Sequence, residues 1–151
     1  MRLDPQDAVK RPAPGTATLL LTPSRIVVDP GAKVRVGVSI LGADDLSRMP
    51  LTVKYDPDVV RPLSVKLGSA WDEHVAPVFL HDTSRPGEIV IGIAWLGSHD
   101  PRISGTGELL EIEFRALRSG VTEVKLERFA IIGSESKSQP VTALAASIAV
   151  R

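Results

Sequence analysis

Residues 33–41 read KVRVGVSIL, and their parity is unbroken: Val34, Val36, Val38 and Ile40 fall on one side, Lys33, Arg35, Gly37 and Ser39 on the other. An extended chain points successive side chains to opposite faces. The segment is therefore expected to be a strand with one face in a core and the other in water. Residues 109–117, LLEIEFRAL, repeat the pattern, with Leu110, Ile112, Phe114 and Ala116 alternating with Glu111, Glu113 and Arg115. A helix would scatter both sets around its circumference. Half-buried strands of this kind must bury their apolar faces against another layer, which points to stacked sheets.

Further segments extend this reading in both directions. Ala17–Thr22 and Ile26–Val28 form a first strand broken at Pro23, a residue confined to edges and bulges. Asp29-Pro30-Gly31 is a turn, with Pro presetting φ and Gly free to take positive φ. Leu51, Val53 and Tyr55 alternate up to Asp56-Pro57, where Pro57 holds Asp56 extended and the carboxylate can accept from N–H groups just beyond. Val60–Leu67 follows, then a less regular stretch through Trp71. Val78–Leu80 and Glu88–Leu96 flank a hairpin connection at Asp82–Gly87, and Leu109–Leu117, Val121–Leu126 and Val141–Val150 complete the set. About nine short strands at ten-residue intervals predict an all-β fold, a nine-stranded antiparallel sandwich over residues 17–151. Residues 1–16, MRLDPQDAVKRPAPGT, carry three prolines and no periodicity, and are expected to be an extended linker joining the domain to a longer protein.

Composition narrows the function. At 151 residues with 43% apolar and 24% charged content, the chain supports one well-cored domain. Eighteen basic residues balance eighteen acidic ones, so no broad field draws nucleic acid or anionic lipid. No run approaches the length of a membrane span, and a membrane is expected only through the parent protein. Met1-Arg2-Leu3-Asp4-Pro5 lacks the apolar stretch of a signal peptide. Without cysteine there are no disulfides, cysteine nucleophiles or thiolate metal sites.

The candidate catalytic groups do not assemble. Glu73-His74, His81-Asp82 and His99-Asp100 each join a histidine to an acid, yet no HxH or HxxxH spacing puts two imidazoles on one metal. Ser98-His99-Asp100 contains triad residue types, but adjacent residues cannot converge as a triad does. Gly105-Thr106-Gly107 lacks the Lys and following helix of a phosphate loop and reads as a turn opening a strand. Asp44-Asp45 and Asp56/Asp58 do not alternate as a calcium loop requires and read as surface loop acids. No enzyme, metal or cofactor is expected. EIVIGIAWL, residues 88–96, is different: Ile89, Ile91, Ile93 and Trp95 share one phase, Val90, Gly92, Ala94 and Leu96 the other, and neither is polar. Such a strand is either covered on both sides or keeps an apolar outer face for a partner.

Taken in order, the landmarks resemble the cohesin domain family, especially the cohesin-like modules of bacterial exported and secretin-type proteins. They are the Pro30-Gly31 turn before VRVGVSI, Tyr55-Asp56-Pro57 followed by Val60, and Ser64-Val65. Further along come Gly87-Glu88-Ile89-Val90-Ile91, Ser104-Gly105-Thr106-Gly107 leading into Leu109–Phe114, and Ser119-Gly120-Val121-Thr122. The resemblance implies a jelly-roll sandwich without a catalytic site. Its partner would be a dockerin, a small helical module carrying its own calcium, or else a subunit of an exported assembly. It also implies an extracytoplasmic location. The binding face would draw on Thr52, Lys54, Val78 and Leu80, and on Val90, Gly92, Ala94, Trp95 and Leu96. The sequence leaves open which phase of 89–96 points outward, since a bulge near Ala94-Trp95 would switch it. Carbohydrate binding, the alternative, would need exposed coplanar aromatics from among Trp71, Trp95, Tyr55 and the three Phe.

Overall fold

The computed structural model describes residues 15–71, 77–94, 103–133 and 138–151. Thirteen strands occur among them. In chain order these are β1 (Ala17–Thr22), β2 (Arg25–Val28), β3 (Lys33–Leu46), β4 (Arg48–Lys54), β5 (Val60–Leu67), β6 (Val78–Asp82) and β7 (Glu88–Ala94). Then follow β8 (Ile103–Ala116), β9 (Gly120–Glu127), β10 (Ile131–Ile132), β11 (Ser138–Gln139), β12 (Val141–Leu144) and β13 (Ala146–Val150). One 3-10 turn, Ser69–Trp71, follows β5. The first sheet has the order β12-β1-β3-β8-β5. The second runs β6-β7-β4-β9-β13-β2, with β10 and β11 added beside the start of β4.

The core lies between the sheets and follows the expected parity. Val34, Val36, Val38 and Ile40 of β3 are buried beside Leu110, Ile112, Phe114 and Ala116 of β8. Met49, Leu51 and Val53 of β4 and Ile89, Ile91 and Ile93 of β7 meet them from the second sheet. The β3–β8 register shifts between Val38, opposite Leu110, and Ser39, opposite Glu108. Leu109 is the extra residue, which lets two consecutive leucines be buried on one strand. Trp71 closes the core there: its indole N–H donates to the Leu109 carbonyl at 3.2 Å, and the Gly68 N–H donates to the same oxygen at 2.8 Å. Gly68 runs so close to β8 that a Cβ would collide with the Glu108 carbonyl oxygen, and only glycine permits that approach.

The expected turns form. The Ala32 N–H donates to Asp29 O at 3.2 Å across Pro30-Gly31, where Gly31 has φ +88°. The Asp58 N–H donates to the Asp56 carboxylate at 2.9 Å. Three details depart from the sequence reading. Gly105-Thr106-Gly107 is strand rather than turn, and Asp44 lies on β3 rather than in a loop. Beyond Ile40 and Gly107 the two strands continue to pair, but with register shifts around Ala43. Irregular pairing erases the alternation that would have marked it as β. Residues 141–150 split at Ala145, β12 joining one sheet and β13 the other. Both strands pair parallel to the chain's first strands, β12 with β1 and β13 with β2, within an otherwise antiparallel sandwich.

Phe114 is fully buried, with its ring edge-on to Tyr55 at 5.5 Å between centroids. Phe114→Ala removes that contact and leaves a cavity, at an expected cost of about 3–5 kcal/mol in denaturant unfolding. Lys33→Ala, on the solvent side of the same ladder, is expected to change stability by less than about 0.5 kcal/mol.

Candidate protein-binding face

The structure decides the phase of β7. Ile89, Ile91 and Ile93 point into the core, while Val90, Gly92 and Ala94 face outward. Volume explains the choice: the three isoleucines fill the space above β3 and β8, and the smaller set is left for the surface. Strand register then arranges the outer face in rows. Val78, Ala94 and Arg48 form one row, and Leu80, Gly92 and Pro50 the next. Asp82, Val90, Thr52 and Glu127 form a third, and Glu88, Lys54 and Lys125 a fourth.

The first two rows enclose a groove of about 250 Å³ lined by Arg48, Pro50, Val78, Leu80, Gly92 and Ala94. Its floor is Gly92, where a Cβ would meet no atom within 4 Å. Its wall on β6 is Leu80, 67% exposed, with Val78 beside it. This is concentrated apolar surface on a chain whose other exposed aliphatics are spread over both sheets. The lower rows carry charge. Lys54 Nζ lies 3.3 Å from a Glu88 carboxylate oxygen, and Arg85 lies 3.6 Å from the other. The hydrogen bond from Lys54 holds the Glu88 carboxyl below the usual carboxylate range. Hydrogen bonds from Ser84 do the same for Asp82 at the hairpin.

The sequence-derived face is thus brought together in large part. Val78, Leu80, Val90, Gly92 and Ala94 share one surface, with Lys54 at its charged end. Thr52 has the outward parity but is only 4% exposed, flanked within its own row by Val90 and Glu127. Trp95 and Leu96 lie outside the described residues, as do Glu73-His74 and Ser98-His99-Asp100. Arg48, Pro50 and Ile132 also line the groove and were not anticipated. Carrying the β4 alternation two and four residues back from Thr52 would have found Pro50 and Arg48; Ile132 arrives through a short pairing that no pattern announces.

The face offers little for bond-making chemistry or sugar stacking. No group of three or more His, Asp or Glu side chains suited to a metal occurs among the described residues. His81 packs against Phe79 at 5.1 Å between ring centroids. Trp71, Tyr55 and Phe114 are buried, so they form no platform for a sugar ring.

The family model described as Cohesin domain matches residues 21–150. No curated protein matches the chain. Among solved structures, it is similar to a non-cellulosomal cohesin from the archaeon Archaeoglobus fulgidus, at 22% identity and a TM-score of 0.75, over 90% of this chain and 91% of that one. It is likewise similar to CaCohA2 from Clostridium acetobutylicum, at 20% identity and 0.74, over 89% and 90%. A third likeness is the sixth cohesin of scaffoldin B from Acetivibrio cellulolyticus, solved in complex with a Cel5 dockerin mutant, at 16% identity and 0.76, over 90% and 99%.

The phase of β7 can be checked with one charge on either side. Val90→Asp is expected to leave the domain folded, with a melting temperature within a few degrees of the parent. Ile91→Asp places an unpaired carboxylate in the core and is expected to abolish cooperative unfolding, as seen by circular dichroism.

Proposed function

The chain belongs to the cohesin domain family, and we propose that it docks a dockerin-like helical module on the outer face of β6, β7, β4 and β9. Cohesin domains are non-catalytic interaction modules, and several of the similar structures are complexes with dockerins. The observation that carries the reading is the groove above Gly92. It is apolar and open, with the width that one glycine between Leu80 and Pro50 provides. A helix laid across the sheet would seat an aliphatic side chain there, and its polar flank would meet Arg48 on one side and the Lys54–Glu88 pair on the other. Cohesins are typically parts of extracellular scaffoldins, and we place this domain outside the cytoplasm.

Because a Cβ at Gly92 meets nothing, the groove can be filled without disturbing the core. Gly92→Glu is expected to weaken binding of a calcium-loaded dockerin at least thirtyfold in calorimetry, with the melting temperature held. Val121→Glu, on β9 beyond the charged rows, is expected to bind as the parent does. A Gly92→Glu protein that binds normally would move the partner off this face. A chelator is expected to abolish the complex by stripping the dockerin while leaving this chain's own melting temperature unchanged, since its fold uses no metal cluster among the described residues.

A further inference from the structure

The outer face ends at β6, and among the described residues no strand pairs with the edge of β6 that faces away from β7. A free edge presents N–H and C=O groups that another strand can use, and proteins blunt such edges with proline, charge, bulges or short length. The other edges of this sandwich are guarded in those ways. β5 contains Pro62, a register break between Pro62 and Ser64, and the cations Arg61 and Lys66. β2 has four residues, begins at Arg25 and lies between Pro23 and Pro30. β12 has four residues after Pro140, and β11 has two before it. β6, bounded by Pro77, runs Val-Phe-Leu-His-Asp in unbroken register with β7, with no proline, Lys or Arg within it. Its outward Val78 and Leu80 are 44% and 67% exposed.

We infer that this edge pairs with the same edge of a second copy of the chain, antiparallel and two-fold about Phe79. The segment is self-complementary in that register. Val78 comes opposite Leu80 of the second copy, twice by symmetry, and Phe79 opposite Phe79, so all three paired positions are apolar. The competing two-fold, about Leu80, would set Asp82 against Val78 and gains less. Zero formal net charge leaves no long-range repulsion between copies. The pairing continues the outer face without covering it. A two-fold perpendicular to the sheet turns both outer faces to the same side, and the two grooves then border each other across Val78 and Leu80. The dimer is bivalent, and a partner carrying two docking modules gains from that spacing. With only a short strand pair at its centre, the interface falls below the standard size class, so the dimer forms at high local concentration.

Two measurements on the full chain test this, and neither needs a partner. In sedimentation equilibrium the average mass should climb from 16.2 kDa toward twice that value as protein approaches the millimolar range. The chain has no cysteine, so introduced thiols report register cleanly. A Val78→Cys, Leu80→Cys double variant should form a covalent dimer under mild oxidation at least tenfold faster than Val121→Cys, a thiol on the same face but on β9. Melting curves of both variants establish that they are folded. Gly92→Glu, which fills the groove, should still dimerise, so loss of partner binding and loss of self-pairing are separable. A mass constant at one chain throughout, or a rise in mass with cross-linking no faster than the Val121→Cys control, would overturn the inference.

Discussion

The ladder between β3 and β8 runs from Lys33 opposite Arg115 to Leu46 opposite Ile103, and each strand has a further neighbour on its other side. Its inner face supplies Val34, Val36, Val38 and Ile40 together with Leu110, Ile112, Phe114 and Ala116, the apolar floor on which the second sheet rests. Its outer face carries charge in partial compensation, with Arg35 2.8 Å from Glu111 and 3.6 Å from Glu108. Such exposed pairs contribute little to stability. What holds the ladder is the apolar side, and the Leu109 bulge, the Trp71 indole and the Gly68 approach come together midway along it, where its regular register ends.

The binding face follows from that core. Fully burying an isoleucine contributes about 1.5–3 kcal/mol relative to leaving it exposed. Reversing β7 would expose three isoleucines and offer the core only valine, glycine and alanine, a loss of several kcal/mol with voids besides. The small residues that remain outside make a hollow, and the neighbouring strands raise its walls, Leu80 on one side and Pro50 on the other. A surface suited to a partner's side chain is thus a product of packing beneath it, and no residue of the groove floor has to be strained or desolvated to form it.

The all-β fold was readable because alternation is a local property. Lys33–Leu41 and Leu109–Leu117 state their inside and outside without reference to anything else in the chain, and the turns at Pro30-Gly31 and Asp56-Pro57 bound their strands by backbone chemistry alone. Where pairing is irregular, as from Ala43 to Leu46 and from Ile103 to Gly107, the same test fails, because a bulge breaks the period on which it depends.

Glu88–Leu96 marks the limit. The sequence by itself determined that both of its faces are apolar and that Val90, Gly92 and Ala94 stand together on one of them. It could not say which face is outward, nor that β12 and β13 leave for different sheets and lie parallel to β1 and β2. Those outcomes rest on the volume available between two sheets and on contacts between residues more than a hundred positions apart. Only the tertiary structure sets them, because parity along a strand tells which side chains travel together, whereas the packed core decides which of the two sets it can hold.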